Sequence, residues 1–268
     1  MTTPDVPLRM ELTVELPGTP EQVWDAIATA NGITSWFIPT EFEEREGGAV
    51  CFHMGEDMSS SGFVTGWDPP RRLEYSEPDW AELTGHKDAA LTPMVTEFLV
   101  EARSGGTCVL RVVSSAFGTG ADWEQEFFDD MAKHWRPFFD NLRLYLTHFP
   151  GQRVTSMSVN VAMPGEHDAV WSAIRQGLGA GEVGQVVEVR GVTAQVERIS
   201  TAPAPSELLL RVTDPVDGLL DVGVFDYGDG KATAAVTGYF FSDDAATFVE
   251  RERAAWTDWL QSLAIPAT

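Results

Sequence analysis

The stretch VELPGTPEQVWDAI, residues 14–27, returns in looser form as VNVAMPGEHDAVWSAI, residues 159–174. Each copy runs from an alternating, strand-like segment through a proline-glycine turn into a helix carrying V-W-x-A-I. A solenoid needs several short repeats stacked in series, so one echo at this distance describes duplicated folding units instead. HFPGQR, residues 148–153, joins a helix end to Pro-Gly and a new strand, which is where a boundary between units belongs. The expected division is 1–150 and 151–268.

The first unit reads as strand, helix, hairpins and a closing helix. Arg9 to Leu16 alternates as a strand. Thr19 is placed to cap a helix, with Pro20 at its first position and Gln22 completing a capping box. Val23, Trp24 and Ile27 give that helix one apolar face; Asn31-Gly32 is expected to stop it, and ITSWF to add a short second helical turn. Strands follow on either side of Gly47-Gly48, then SGFVTGW, the Asp68-Pro69-Pro70 turn and RRLEYS. Residues 77–93 read as a polar, irregular insertion. TEFLVEA and TCVLRVVSS flank Gly105-Gly106 as another hairpin. From Asp122 to His148, Trp123, Phe127, Met131, Trp135, Phe138, Leu142 and Tyr145 recur at helical steps. Pro137 predicts a kink in this run or the start of a second helix. The second half repeats the order in shorter form: RVTSMSVNV, the helix GEHDAVWSAI, strands near QVVEVR, VTAQVERI, ELLLRV, LLDVGVFDY and KATAAVTGYFF, and a helix from about Ala245 to Leu263. GLGAGEVG stands where ITSWF would have its counterpart.

Composition narrows the partners. Nine Trp, fifteen Phe and 43% hydrophobic residues mark a globular chain, while a formal charge of −23 repels phosphate backbones and anionic lipid. Nucleic acid and membrane are therefore not expected partners. The opening MTTPDVPLRMELTVEL has no apolar signal core, and no window approaches ~18 uninterrupted apolar residues. The expected location is the cytoplasm, with Cys51 and Cys108 as free core thiols.

PGTPEQVWDAIATANGITSWF, the Gly47-Gly48 hairpin, GFVTGWDPPRRLEYS, TEFLVEARSGGTCVLRVVSSAFG and WRPFFDNLRLYL together resemble the START-like (SRPBCC) superfamily. The closest likeness is to the branch named after the activator of the heat-shock protein 90 ATPase. It covers residues 10–148 well; over 153–265 it is topological, carried by PGEHDAVWSAI and AAWTDWLQSL. The resemblance implies an α+β fold of two tandem helix-grip domains, each an antiparallel sheet wrapped on a long C-terminal helix. It further implies an apolar cavity between sheet and helix, which in relatives holds lipids, sterols or polyketides.

Period-two reading of the strands and the helical stripe puts Phe52, Met54, Phe63, Trp67, Tyr75, Phe98, Leu110, Phe127, Met131 and Trp135 where such a cavity would be lined, and Trp36 of ITSWF and His134 beside Trp135 are added to them as candidates. Thr65 falls on the same face as Phe63 and Trp67 in this reading. The same residue types would equally fill a packed core. His134 is the one candidate for a buried acid or base, set against the commoner surface role of a lone helical histidine. Glu124, Asp129 and Asp130 read as a solvated face and its boundary, and Arg71 and Arg72 as structural, pairing with Glu74 or Glu77. No H-E-x-x-H, C-x-x-C, phosphate-binding glycine loop or G-x-S-x-G occurs, so no metal, cofactor or catalytic residue is expected. Three functions compete: a carrier or sensor of a small apolar molecule, a protein-interaction module resembling a co-chaperone, and a cyclase- or aromatase-type enzyme. The last requires a polar group on the cavity floor, and none is assigned. The second domain, poorer in aromatics, is expected to have little or no cavity and to brace the first.

Overall fold

The computed structural model describes residues 5–55, 58–86, 88–89, 91–200, 206–226 and 231–263. The chain divides into two units within HFPGQR, at Gln152/Arg153. In the first, β1 (Val6–Pro17) leads to α1 (Pro20–Ala28) and α2 (Ala30–Thr34). There follow β2 (Thr40–Phe42), β3 (Ala49–His53), β4 (Ser59–Asp68), β5 (Arg72–Glu77), β6 (Met94–Ala102) and β7 (Thr107–Gly118), and α3 (Asp122–His148) closes the unit. The strands form one antiparallel sheet in the order β1-β7-β6-β5-β4-β3-β2, so the first strand pairs with the last. Leu8, Met10, Leu12, Leu110, Val112, Phe98, Val100, Leu73 and Val50 are buried on the face that meets α3.

Local chemistry explains the helix starts. The Thr19 hydroxyl accepts from the Gln22 N–H, and the Gln22 side chain accepts from the Thr19 N–H, as the capping box requires. The break that follows comes earlier than expected. Thr29 ends α1 and its hydroxyl caps α2 by accepting from the Gly32 N–H, so Asn31-Gly32 lies inside α2. Gly32 is required there by close approach: a Cβ would sit 2.0 Å from the Asp25 carbonyl oxygen. Pro137 lies within α3, which runs unbroken to His148.

Two expectations fail for reasons of pairing. In β4 the register against β5 shifts between Val64 and Gly66, a bulge that adds one residue. Phe63 and Trp67, which strict alternation puts on one face, are thereby sent to opposite faces. Phe63 is 58% exposed, whereas Trp67 turns inward against Trp24 of α1 at 4.9 Å. Thr65, at the bulge, is exposed and its hydroxyl donates to Glu74 at 2.7 Å. Residues 77–93 are likewise no open insertion. A 3-10 turn over Trp80–Thr84 drives Trp80 fully into the core, where its indole N–H donates to the Thr92 carbonyl.

The second unit repeats the plan with one strand fewer. It comprises β8 (Thr155–Ala162), α4 (His167–Leu178), β9 (Val186–Val189), β10 (Val192–Ser200), β11 (Ser206–Asp214), β12 (Gly218–Asp226), β13 (Ala232–Phe240) and α5 (Ala245–Ser262). Its sheet order, β8-β13-β12-β11-β10-β9, again pairs first strand with last. Tyr227, in the run LLDVGVFDY, lies outside the described residues. Among the described residues, no short second helix follows α4. Its core is built mainly of Val, Leu and Ala, with Trp171, Phe240, Phe248 and Trp256 as the large rings. Trp24 is half-buried in the first unit and its echo Trp171 buried in the second, each on the helix that follows the first strand. Both units thus have the expected α+β helix-grip architecture. No described helix is long and apolar enough to cross a membrane.

Candidate functional site

Between the sheet of the first unit and α3 lies a continuous run of rings. Phe52 on β3 touches Tyr75 on β5 at 5.3 Å, Tyr75 touches Phe98 on β6 at 6.1 Å, and Phe98 meets Trp135 of α3 at 6.0 Å. Phe37, just after α2, stacks on Trp135 at 5.0 Å and meets Phe52 edge-on at 6.0 Å. Trp36 stacks on Phe139 and donates its indole N–H to the Ala26 carbonyl. A second cluster sits at the N-terminal end of α3, where Trp80 packs against Phe127 and Phe128.

Within this apolar face lies a polar band that crosses four neighbouring strands. Tyr75 pairs with Thr96 across β5 and β6, and Thr96 with Ser114 across β6 and β7. The Thr96 and Ser114 hydroxyls are bonded at 2.9 Å. Two residues past Tyr75, and on the same face, the Glu77 carboxyl accepts a hydrogen bond from the Ser60 hydroxyl of β4. Gly62 makes room for it, since a Cβ there would meet Glu77 Cγ at 3.3 Å and the Ser76 carbonyl oxygen at 2.2 Å. Glu77, Tyr75, Thr96, Ser114 and Ser60 are all buried.

Burial sets the electrostatics. Loss of water raises the Glu77 pKa to about 7, with the Ser60 bond working the other way. Burial, then the Glu77 charge, pushes the Tyr75 phenol well above its ordinary value, opposed by a bond with Thr96. A carboxyl that keeps its proton near neutrality is a hydrogen-bond donor as well as an acceptor. It can also give or take a proton at neutral pH.

The remaining carboxylates do other work. Glu124, expected at a solvated boundary, is buried at the start of α3, where its oxygens accept from the Thr119 N–H and hydroxyl and the Gly120 N–H. Burial alone would raise its pKa, but these bonds, with one from Ala121, hold it below the ordinary value. Asp129 and Asp130 are exposed. Arg72 pairs with Glu74 at 2.5 Å and Glu97 at 2.6 Å, and Arg71 with Asp68; Glu77 takes no part in these pairs.

Of the twelve residues named from the sequence, Trp36, Phe52, Tyr75, Phe98, Leu110 and Trp135 are buried in the interior of the first unit. Phe127, Met131 and Trp67 are half-buried. Three are placed elsewhere. Phe63 is on the outer face because of the bulge. Met54 lies beyond the end of β3, exposed, with its N–H donating to the Met58 carbonyl. His134 points to solvent from α3, its Nδ1 2.8 Å from the Asp130 carbonyl oxygen, and so is no buried acid or base. Sequence reading missed Glu77, Trp80, Phe37 and Phe128. The alternation that puts Leu73 and Tyr75 inward extends by one step to Glu77, so that signal was present.

The family model described as Activator of Hsp90 ATPase homolog 1-like protein matches residues 17–147, almost the whole first unit. No curated protein matches the sequence. Among solved structures, the Aha1 dimer from Colwellia psychrerythraea is 15% identical, over 52% of this chain and 96% of that one, with a TM-score of 0.42. The di-domain ARO/CYC BexL of the BE-7585A biosynthetic pathway is 14% identical over 97% of this chain and 99% of that one, TM-score 0.42. DynU16, from the dynemicin biosynthetic locus, is 16% identical over 96% and 97% respectively, also at 0.42.

Proposed function

The first of the two tandem domains belongs to the family of Activator of Hsp90 ATPase homolog 1-like proteins, and from that premise we propose that it binds a small hydrophobic or aromatic molecule between its sheet and α3, as a carrier or sensor. One observation supports this reading most: a buried carboxyl and a line of hydroxyls interrupt an otherwise apolar interior. A domain that only needed a packed core would be more stable with apolar groups there, since burying a carboxyl among rings is costly. Rings for a ligand's body, with a few convergent polar groups to orient it, are the usual make-up of a small-molecule site.

Native mass spectrometry of the protein purified from its own host should show a co-purifying mass. Titration of the delipidated protein with the neutral probe N-phenyl-1-naphthylamine should give saturable binding near one per chain. Trp135→Ala should weaken that binding by roughly tenfold, by removing a wall of the interior. No mass excess, together with no saturable binding of the probe, would sink the proposal.

An enzyme of the cyclase or aromatase type gains one observation. It requires an acid-base group among the rings, and Glu77, with its pKa near 7, is matched to that task. If turnover of an aromatic precursor is detected, Glu77→Gln should abolish it; undiminished turnover removes the carboxyl from the chemistry.

A further inference from the structure

The polar band says something about the ligand that the rings alone do not. Ser60, Tyr75, Glu77, Thr96 and Ser114 are contributed by β4, β5, β6 and β7, and all project from the same face of the sheet. Thr96 and Ser114 satisfy each other. Ser60 spends its proton on one oxygen of Glu77, and the carboxyl lies on the same buried sheet face as Tyr75, whose ring packs on Phe52 and Phe98. Salt bridging does not explain the group, because Arg72 and Arg71 are committed to Glu74, Glu97 and Asp68. Gly62 lets β4 approach β5 closely beside this group, since any Cβ there would crowd the Ser76 carbonyl and Glu77 Cγ.

Resting on the ligand-binding reading, we propose that Glu77 with Ser60 and Tyr75 forms a hydrogen-bonding subsite that selects ring compounds bearing a carbonyl oxygen over the corresponding hydrocarbons. The carboxyl O–H donates to the ligand carbonyl, while Ser60 steadies the opposite carboxyl oxygen. Phe52, Phe98 and Trp135 hold the ring skeleton. Tyr75 is the titratable group that feels the Glu77 charge, and its own burial keeps it a neutral phenol. An anionic head group would be repelled whenever Glu77 is ionised, so the subsite suits a neutral ketone or quinone-like oxygen.

The test uses the full chain and a matched pair of bicyclic probes, tetralin and 1-tetralone, which share a skeleton and differ by one carbonyl. Affinities are measured by displacement of N-phenyl-1-naphthylamine at pH 6 and pH 8.5. Wild type should prefer 1-tetralone by about five- to tenfold at pH 6, the worth of one good buried hydrogen bond. That preference should shrink at pH 8.5, where the donor proton is gone. Glu77→Leu should bind tetralin at least as well as wild type and lose the preference at both pH values. Should the Leu variant not fold, Glu77→Gln still decides the matter: its amide keeps a donor, so the preference should persist at pH 8.5. Equal binding of the two probes by wild type, or a pH response unchanged in Glu77→Gln, overturns the subsite while leaving the apolar site standing. Failure of wild type to bind either probe, or N-phenyl-1-naphthylamine itself, overturns both.

Discussion

Glu77 and Glu124 are both buried in the first unit, yet their surroundings drive them in opposite directions. Glu77 has few bonds to its charged form, and its pKa rises from 4.5 to about 7. Below about pH 4.5 both folded and unfolded chains carry this proton, so it contributes no pH dependence. Between pH 4.5 and 7 the unfolded chain releases the proton while the folded chain keeps it, and stability falls as pH rises. Once pH exceeds the folded value the loss levels off, at on the order of 3 kcal/mol. Glu77→Gln should therefore gain stability over wild type progressively from pH 5 to pH 8 in urea denaturation; a constant difference would refute the assignment. Glu124 behaves in the ordinary sense. Its lowered pKa contributes stability that is present above the unfolded value and lost as pH falls through the folded one. Replacing Glu124 with Gln should flatten the acid limb of the stability profile, and cost about 1–3 kcal/mol at neutral pH through the Thr119 and Gly120 donors left short.

Elements written by local chemistry were legible, and those written by pairing were not. Thr19, Pro20 and Gln22 sit within one turn of one another, so the start of α1 could be read directly. The bulge in β4 depends on where β5 pairs across the sheet, and no residue in SGFVTGW announces it. Phe63 was misplaced for that reason. Glu77 was overlooked because a charged residue at a strand end resembles loop, although its register with Leu73 and Tyr75 places it inward. Trp80 was hidden similarly, in a polar segment whose single turn of 3-10 helix is too short to show periodicity. The aromatic part of the site was read from alternation, while its polar part depends on residues whose types argue for the surface. Gly32 gives the sharpest test at this scale. Because a Cβ would overlap the Asp25 carbonyl and Ala26 Cα, Gly32→Ala should force α1 and α2 apart and cost more than about 3 kcal/mol. Thermal unfolding of this variant close to wild type would contradict the close approach.

At the scale of the molecule, each unit has its own sheet, closing helix and core. Residues 1–152 and 153–268 expressed separately should each unfold in a single cooperative transition by circular dichroism. The first fragment should keep the N-phenyl-1-naphthylamine site. A first fragment that is unfolded would show that its core is not self-sufficient. The pairing of first strand with last also governs how the protein is made. Met10 on β1 stands opposite Ser114 on β7, about 100 residues later. A ribosome adding about 5–20 residues per second leaves β1 without its partner for roughly 5–20 s. Through that interval Leu8, Met10 and Leu12 have no sheet to join, and closing so long a loop comes late in folding. The second unit must repeat the wait, with β8 idle until β13 emerges. A nascent chain of this design therefore exposes a sticky strand twice during its synthesis, and slowing translation should make the cell's chaperones more necessary to its yield.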